Sequence, residues 1–359
     1  MSEDREALRE VAAGVLADLC TPADVVAAED TGWSGRLWQA LTDSGFRYVS
    51  LPEERGGSGG DVADACTLLT EAGRAAAPVP LAEAGLLGGW ALTSAGLALP
   101  DGPLTAATGR PGDAVTLTGA PGSWRLTARV ERVPWGGRSE RVALLTALRG
   151  EHFVVSAPTA AAQLTPGRDL AAQPRDTLAW HDVALPDDAV APAPPGTDVA
   201  ALRLRGALSR AALITGALQR VSELTLRYTS ERQQFGRPIA RFQAVQAHLV
   251  TIAEEAQLAG LATEVAAVNA RPDPLAFDVA AAKTVAGEAA TTAARAAHQA
   301  HGAMGMTKEY ELGQLTRRLW SWRDEFGSER WWGRELGRQL AGAGADELWP
   351  RISTGLVSA

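Results

Sequence analysis

Residues 230–246 read Ser-Glu-Arg-Gln-Gln-Phe-Gly-Arg-Pro-Ile-Ala-Arg-Phe-Gln-Ala-Val-Gln, and they stand between two long stretches of helical periodicity. Gly236 and Pro238 predict a turn, because glycine permits unusual backbone conformations and proline interrupts a helix. An arginine beside the free N–H groups of a helix end can hold an anion such as a diphosphate by charge-assisted hydrogen bonds. The stretch therefore indicates an anion-binding loop, although an exposed arginine at a surface turn has the same local pattern.

A second stretch, residues 299–310, reads Gln-Ala-His-Gly-Ala-Met-Gly-Met-Thr-Lys-Glu-Tyr. Its glycines would let the backbone approach a ligand closely. Taken alone, Gly302 and Gly305 are explained equally well as the end of a helix.

Four long helices surround these two stretches. Apolar residues recur at helical spacing in residues 201–227, 242–270, 278–300 and 311–340. Each stretch is longer than the usual three turns, and the many alanines allow close helix approach. The C-terminal part of the chain is therefore predicted to be a four-helix bundle.

The preceding part of the chain predicts a helical segment followed by a β segment. Residues 5–19 and 62–76 have apolar side chains at helical spacing, whereas residues 114–190 consist of short β-prone stretches separated by Gly and Pro turns. A proline-rich connector, residues 191–196, ends the β segment. We predict an N-terminal helical domain over residues 1–105, a middle β domain over 106–196 and a C-terminal helical bundle over 197–359.

The composition excludes several classes of protein. With 359 residues, 46% apolar and 21% charged, the chain can fold two or three domains. A net charge of −8 argues against a protein that coats nucleic acid. Neither the two cysteines, Cys20 and Cys66, nor the five histidines have metal-ligand spacing. We expect no metal and, without a signal sequence or a long apolar run, a cytoplasmic protein with no membrane partner.

The two loop stretches, about sixty residues apart within this helix, sheet, helix order, resemble the acyl-CoA dehydrogenase family. The resemblance spans the whole chain and is most specific in its C-terminal third. It implies an α+β multidomain fold with an N-terminal α-helical domain, a middle small β-barrel domain and a C-terminal four-helix bundle. It also implies FAD as cofactor, oxidation of an acyl-CoA substrate across its α,β bond, electron transfer to an electron-transfer flavoprotein, and a dimer or tetramer.

The resemblance assigns cofactor contacts to residues of both loop stretches. Arg232, Gln234 and Phe235 match the residues that hold the FAD diphosphate of the neighbouring subunit, although Phe235 could instead be a core aromatic. The residues that match the second FAD-contacting loop are Gln299, Gly302, Ala303 and Gly305.

Other parts of the family pattern are missing. Residues 106–113 do not match the Thr-Glu-Pro and Gly-Ser-Asp stretches that meet flavin and substrate in the family. The Trp-bearing strand beside the flavin ring has only a loose counterpart in residues 133–137. Half of the usual flavin pocket is therefore not recognisable.

The catalytic base is also displaced. The reaction needs a carboxylate that takes the α-proton while the β-hydride leaves to the flavin. The family glutamate, which precedes a Gly and a hydroxyl residue, falls on Phe326, and Gly327 and Ser328 match the two residues after it. Ser328 is therefore a candidate cofactor contact. Glu325 is the candidate base, and Glu329 is a second nearby carboxylate.

An alternative base position used by some family members falls on Gly206. With both positions empty, the chain resembles the shorter subunit of heteromeric acyl-CoA dehydrogenases, in which a longer related chain brings the base. Two alternatives remain open: a flavin-dependent monooxygenase of the same fold, and a non-catalytic partner that completes another chain's FAD site.

Overall fold

A computed structural model describes residues 3–107, 109–110, 112–270, 273, 276–307, 310–342, 344, 346 and 349–350. The chain forms two compact units. One consists of Met1–Pro22, Cys66–Ala77 and Ala207–Ala359, and the other of Ala23–Ala65 and Pro78–Gly206.

Helices dominate both ends of the chain. They are α1 (Glu3–Leu19), α2 (Pro22–Thr31), α3 (Gly35–Asp43), α4 (Val62–Arg74), α5 (Trp90–Ser94), α6 (Val199–Glu231), α7 (Gln243–Val268), α8 (Ala276–His301), α9 (Leu312–Asp324) and α10 (Glu329–Gly342). A π-helical segment, Glu83–Gly89, leads into α5. The predicted order of helical, β and helical segments is confirmed.

Strands fill the middle of the chain, as predicted. They are β1 (Leu104–Ala106), β2 (Ala114–Thr118), β3 (Trp124–Pro134), β4 (Arg141–Leu148), β5 (Glu151–Pro158), β6 (Gln163–Thr165), β7 (Arg175–Leu185) and β8 (Val190–Pro192). Two further short strands, β9 (Gln233–Gln234) and β10 (Arg237–Pro238), follow α6.

The first eight strands form two four-stranded sheets rather than a closed barrel in the described residues. Their strand orders are β1-β4-β5-β8 and β2-β3-β7-β6. Along β3, buried residues from Trp124 to Val130 alternate with exposed ones, because successive side chains of a strand point to opposite faces. The buried side chains join a core that includes Trp180 and Val155.

The predicted single helix over residues 311–340 is wrong, because the chain breaks between α9 and α10. Phe326 has a φ of 56° and Gly327 a φ of 103°, and neither value is compatible with a right-handed helix. The indole Nε1 of Trp332 donates to the carbonyl oxygen of Phe326 at 3.0 Å, which closes the turn. Residues 325–328 are named the α9–α10 turn.

Helices α4 and α6 touch through their backbones. A Cβ atom at Gly216 of α6 would lie 1.8 Å from the carbonyl oxygen of Thr70, and one at Gly73 of α4 would lie 2.1 Å from the carbonyl oxygen of Leu213. Such distances leave no room for any side chain. The contact therefore holds α6 close against α4.

No single helix in the described part of the chain is long and apolar enough to cross a bilayer. Helices α1 and α2 are long and apolar enough only when the two are taken together.

We expect Gly216→Ala to lower the free energy of unfolding by about 1–3 kcal/mol, since the new methyl group forces α4 and α6 apart. The control is Gly14→Ala, at an exposed position of α1 where a Cβ meets nothing within 4 Å. Gly14→Ala should raise the stability by about 0.5–1 kcal/mol, because alanine loses less backbone entropy than glycine. Urea denaturation measures both changes, and equal effects of the two substitutions would contradict the close contact.

Candidate functional site

The first predicted loop is an exposed two-stranded hairpin at the end of α6. Strands β9 and β10 pair antiparallel, and the two residues between them are Phe235 and Gly236. Both have positive φ, 51° and 74°, as in the tight hairpin turns that favour glycine. The Phe235 side chain is 90% exposed, so Phe235 is not a core residue of this chain. Arg232 and Gln234 are also exposed.

An aromatic contact supports the hairpin from the start of α7. The ring of Phe242 meets the ring of Phe235 edge to face, with centroids 6.0 Å apart. The guanidinium carbon of Arg237 lies 4.4 Å from the centroid of the same Phe242 ring. The hairpin therefore has a defined shape although its side chains reach into solvent.

The second predicted loop follows the end of α8. Gln299 lies on the last turn of α8, and Gly302–Met306 form a short 3-10 helix. Gly302, with a φ of 60°, and Ala303 are exposed, whereas Gly305 is buried. A Cβ at Gly305 would lie 2.9 Å from the Cβ of His301, which explains the glycine there. Two residues of this stretch, 308 and 309, lie outside the described residues.

His301 connects the two loops. Its ring stacks on Tyr228, with centroids 4.5 Å apart, and the hydroxyl of Tyr228 donates to the His301 carbonyl oxygen at 3.3 Å. Tyr228 precedes Arg232 by one turn, and its carbonyl accepts the backbone N–H of Arg232 at 2.9 Å. The structure therefore brings the hairpin and the α8 loop to the same end of the helical bundle.

The protonation of His301 is set by its surroundings. Burial lowers the pKa of His301, which favours the neutral ring. Its Nδ1 lies 2.8 Å from the carbonyl oxygen of Ala297, so Nδ1 carries the proton. Nε2 is then an acceptor for the Tyr310 hydroxyl at 3.2 Å. Sequence reasoning missed Tyr228 and Tyr310, because their contacts depend on how the helix ends pack.

A cleft of about 490 Å³ adjoins the α8 loop. Its lining residues are Ala294, Arg295, His298, Gln299, Gly302, Met306 and Trp320. This volume lies within the range of small-molecule and cofactor sites. Two predicted cofactor contacts, Gln299 and Gly302, therefore line one cleft, together with a cation, an imidazole and an indole that sequence reasoning did not assign to the site. Residues 295, 298, 299 and 302 are spaced so that they share one helix face, and this spacing is the sequence signal that could have identified the cleft residues.

His298 is half-buried at the edge of this cleft. Its Nε2 lies 2.9 Å from the Thr316 hydroxyl, and burial lowers the pKa of the ring. Its Nδ1 is buried and has no hydrogen-bond partner in the described part of the chain. A buried polar atom of this kind is costly unless a ligand or water satisfies it.

The α9–α10 turn forms a separate cluster with buried cations. The Nε of Arg210, on α6, donates to Oε2 of Glu325 at 2.6 Å, and the Arg210 side chain is only 1% exposed. The guanidinium carbon of Arg210 also lies 5.1 Å from the centroid of the Phe326 ring. Phe326, at the expected base position, is buried, and Ser328 is half-buried.

Lys283 of α8 is the second cation of this cluster. Its side chain is fully buried, and Nζ donates to the carbonyl oxygen of Arg323 at 2.5 Å, near the end of α9. Burial lowers the pKa of Lys283 to about 7, and the negative charge of Glu325 opposes this shift. Sequence reasoning missed Lys283, because a single lysine in an alanine-rich helix usually faces solvent.

The structure separates this cluster from the two loops. Arg210 and Tyr228 are five turns apart along α6, which is roughly 27 Å at 1.5 Å per residue. Lys283 and His301 are separated by the same number of turns along α8. The hairpin and the α8 loop therefore lie together, whereas Glu325 and Ser328 do not lie with them.

The remaining sequence candidates have structural contacts of their own or lie outside the described residues. The Nε1 of buried Trp135 donates to the carbonyl oxygen of Gly32 at 3.2 Å. Residues 108 and 111, in the unmatched stretch 106–113, are not described. Glu329 forms an ion pair with Arg323 at 2.8 Å. The described residues contain no group of three His, Cys, Asp or Glu side chains arranged to hold a metal ion.

Comparison with known proteins gives the family. The profile of the acyl-CoA dehydrogenase C-terminal domain matches residues 196–329, and that of the N-terminal domain matches residues 2–97. Acyl-CoA dehydrogenase IpdE2 of Mycobacterium tuberculosis (strain ATCC 25618 / H37Rv) is 33% identical over 321 residues, which cover 86% of this chain and 89% of the relative.

Two solved structures share the fold. The crystal structure of the ChsE4-ChsE5 complex from Mycobacterium tuberculosis has a TM-score of 0.88 at 24% identity and covers 96% of this chain and 99% of that chain. PigA with FAD and proline has a TM-score of 0.83 at 18% identity and covers 96% of this chain and 99% of that chain. The resemblance carried by the two loop stretches is thereby confirmed, and the chain belongs to the acyl-CoA dehydrogenase family.

Proposed function

We propose that this chain binds FAD and takes part in the α,β-dehydrogenation of an acyl-CoA, with electrons passing to an electron-transfer flavoprotein. We further propose that it does so together with a longer acyl-CoA dehydrogenase chain that supplies the catalytic carboxylate. The observation that carries this proposal is the ion pair between Glu325, the candidate base, and buried Arg210. Phe326 stands at the position to which the resemblance assigns the base.

The chemistry of the two loops fits FAD. A guanidinium and an amide on the hairpin, Arg232 and Gln234, are the donors that a diphosphate requires. The exposed backbone of Gly302 lets a ligand approach closely, beside a cleft of cofactor size that Gln299 and His298 also line. When bound, FAD supplies the acceptor for the hydride and its electrons. In this chain Arg232, Gln234, Gln299 and the glycine backbone hold and orient it.

The hairpin has the properties of a surface that another chain covers. Phe235 adopts a left-handed backbone conformation, which costs a non-glycine residue roughly 1–2 kcal/mol. A large ring that is both strained and exposed is typical of a functional contact. This supports the interpretation that Arg232, Gln234 and Phe235 serve the FAD of a neighbouring subunit. The separation of Arg210 and Tyr228 along α6, five turns or roughly 27 Å, supports it too.

Glu325 is better suited to a structural role than to proton transfer. A carboxylate paired with a buried guanidinium is stabilised as an anion and held in place. Lys283 is a second buried basic group in this cluster, and the negative charge of Glu325 favours its protonated form. A base must instead be oriented towards the substrate and accept a proton. We therefore assign Glu325 to anchoring the α9–α10 turn and the base to the partner chain.

A second candidate function rests on the same observation. If the chain contributes only cofactor contacts, it is a non-catalytic partner that completes the FAD site of another chain. The two candidates differ in whether an acyl-CoA can reduce flavin bound within this chain's own fold. The fold is shared with a chain of the ChsE4-ChsE5 complex, which supports assembly with a second chain in either case.

Arg232→Gln and Phe235→Ala should each weaken FAD binding about tenfold or more. A charge-assisted hydrogen bond contributes about 1.5–3 kcal/mol, and burial of an aromatic ring contributes a similar amount. Equilibrium dialysis with visible flavin absorbance measures the affinity. Arg36→Gln, which removes an exposed arginine of α3, is the matched control and should leave the affinity unchanged. Unchanged affinity in both hairpin variants would contradict the assignment of this loop to FAD.

Glu325→Gln should lower the free energy of unfolding by about 1–3 kcal/mol, because it removes the charge that offsets buried Arg210. This expected loss is smaller than the loss for a fully buried ion pair, because the Glu325 side chain is 15% exposed. Glu329→Gln breaks a more exposed pair and should cost less than about 1 kcal/mol.

Anaerobic stopped flow should give an unchanged rate of flavin reduction for Glu325→Gln in the assembled complex. If Glu325→Gln leaves the free energy of unfolding unchanged but abolishes flavin reduction, Glu325 is the base.

Lys283 predicts a pH dependence of stability. The pKa of about 7 in the folded state lies below the ordinary lysine value, so unfolding takes up a proton between about pH 7 and 10. The stability of the wild type relative to Lys283→Met should therefore rise through this interval, by at most about 1.4 kcal/mol per pH unit, and level off below pH 7. Urea denaturation at stepped pH measures the difference. A difference that stays flat or falls with rising pH would show that the buried lysine is charged.

A further inference from the structure

His301 and two tyrosines form a cluster of three rings between the two predicted FAD loops. His301 is only 3% exposed, and its ring stacks on Tyr228 of α6. The ring of Tyr310, two residues before α9 begins, packs against both. Its centroid lies 5.1 Å from that of His301 and 6.0 Å from that of Tyr228. The three rings therefore join the end of α8 to α6 and to the start of α9.

The hydrogen bonds of the His301 ring fit its neutral form. Nδ1 donates to the carbonyl oxygen of Ala297 at 2.8 Å, one turn back along α8. Nε2 accepts from the hydroxyl of Tyr310 at 3.2 Å. In a charged imidazolium both nitrogens are donors. A second proton on Nε2 would therefore break the bond to Tyr310 unless that hydroxyl turned round.

Tyr310 is itself held from α6. The next residue, Glu311, pairs with Arg220 of α6 through two hydrogen bonds, Nε to Oε1 at 2.7 Å and Nη2 to Oε2 at 2.9 Å. A bidentate pair of this kind fixes geometry as well as adding energy. The ring of His301 thus lies between Tyr228 and Tyr310, and the position of both tyrosines is set by α6.

The surroundings of His301 oppose a positive charge on its ring. Burial lowers the pKa of His301, the charge of His298 lowers it further, and the hydrogen bond to Ala297 acts in the opposite direction. The charged or titratable groups that the packed elements bring near this cluster are His298, Arg220, Arg227, Glu231 and Glu311. Among the residues that the structure describes, no carboxylate forms an ion pair with His301. A proton taken up by the ring would therefore be buried without a counter-charge.

We propose that His301 is a positioning residue for the FAD site: its neutral ring holds the α8 loop and neighbouring Gln299 against the end of α6 that carries the hairpin. When His301 takes up a proton, the charged ring leaves the cluster and the α8 loop loosens. The inference rests on the proposed function, because it takes the two loops to be FAD contacts. It adds a dependence of FAD binding on the protonation of one residue.

Hydrogen exchange of the chain without FAD, followed by mass spectrometry between pH 8 and pH 5, tests the positioning role. The protection of residues 302–307 should fall by up to about tenfold per pH unit below the pKa of His301, because one proton is taken up when the loop opens. His301→Gln can still accept from Tyr310 but takes up no proton, so its protection should not fall. His181→Gln, at an exposed histidine of β7, is the matched control and should follow the wild type.

FAD affinity, measured by equilibrium dialysis at the same pH values, should fall in parallel for the wild type and stay level for His301→Gln. Should His301→Gln fail to fold, Tyr228→Leu provides a second test. This substitution uncovers the His301 ring, so the pH at which protection is lost should move upward.

Three results would overturn the inference. They are an equal pH dependence of loop protection in the wild type and in His301→Gln, a pH dependence that His298→Gln abolishes instead, and an unmoved midpoint in Tyr228→Leu. FAD that binds equally well at pH 8 and pH 5 would leave the cofactor proposal standing without the positioning role. A chain that binds no FAD at pH 8, with its α8 loop protected, would contradict the proposed function and this inference with it.

Discussion

The guanidinium of Arg210 is buried, and an arginine cannot shed its charge, so the fold must supply a carboxylate beside it. Glu325 is that carboxylate. Holding Glu325 on Arg210 fixes the turn between α9 and α10, and this turn buries Phe326, the residue to which the resemblance assigns the base position. Lys283 binds the end of α9 from α8 and completes the cluster. One buried charge thus organises the contacts of the α9–α10 turn.

The residues that we propose as FAD contacts lie at another place in the same helical bundle. The hairpin and the α8 loop meet through Tyr228 and His301, about five turns along the helices from Arg210 and Lys283. A chain built in this way offers donors for a diphosphate at one end and an immobilised carboxylate at the other. Such a division is understandable if two chains share each cofactor site, which is the basis of our functional proposal.

The sequence predicted the order of the segments because helical and strand periodicities are local properties. It also predicted a turn where the hairpin lies, since Gly236 and Pro238 interrupt a helical pattern. The break at residues 325–328 was missed because apolar residues continue on both sides of it, with Gly327 as the only helix breaker within the turn. Lys283 and the cleft residues Arg295 and Trp320 could not be predicted, because their burial or grouping arises only when helices pack.

Our functional proposal places the catalytic base on a partner chain rather than on this one. An anaerobic titration of the FAD-loaded chain with a saturated acyl-CoA, such as octanoyl-CoA, followed by visible flavin absorbance, decides the matter. We predict that the flavin stays oxidised with the chain alone and bleaches once a longer acyl-CoA dehydrogenase chain, with glutamate at the position of Phe326, is added. Bleaching by this chain alone would contradict the proposal.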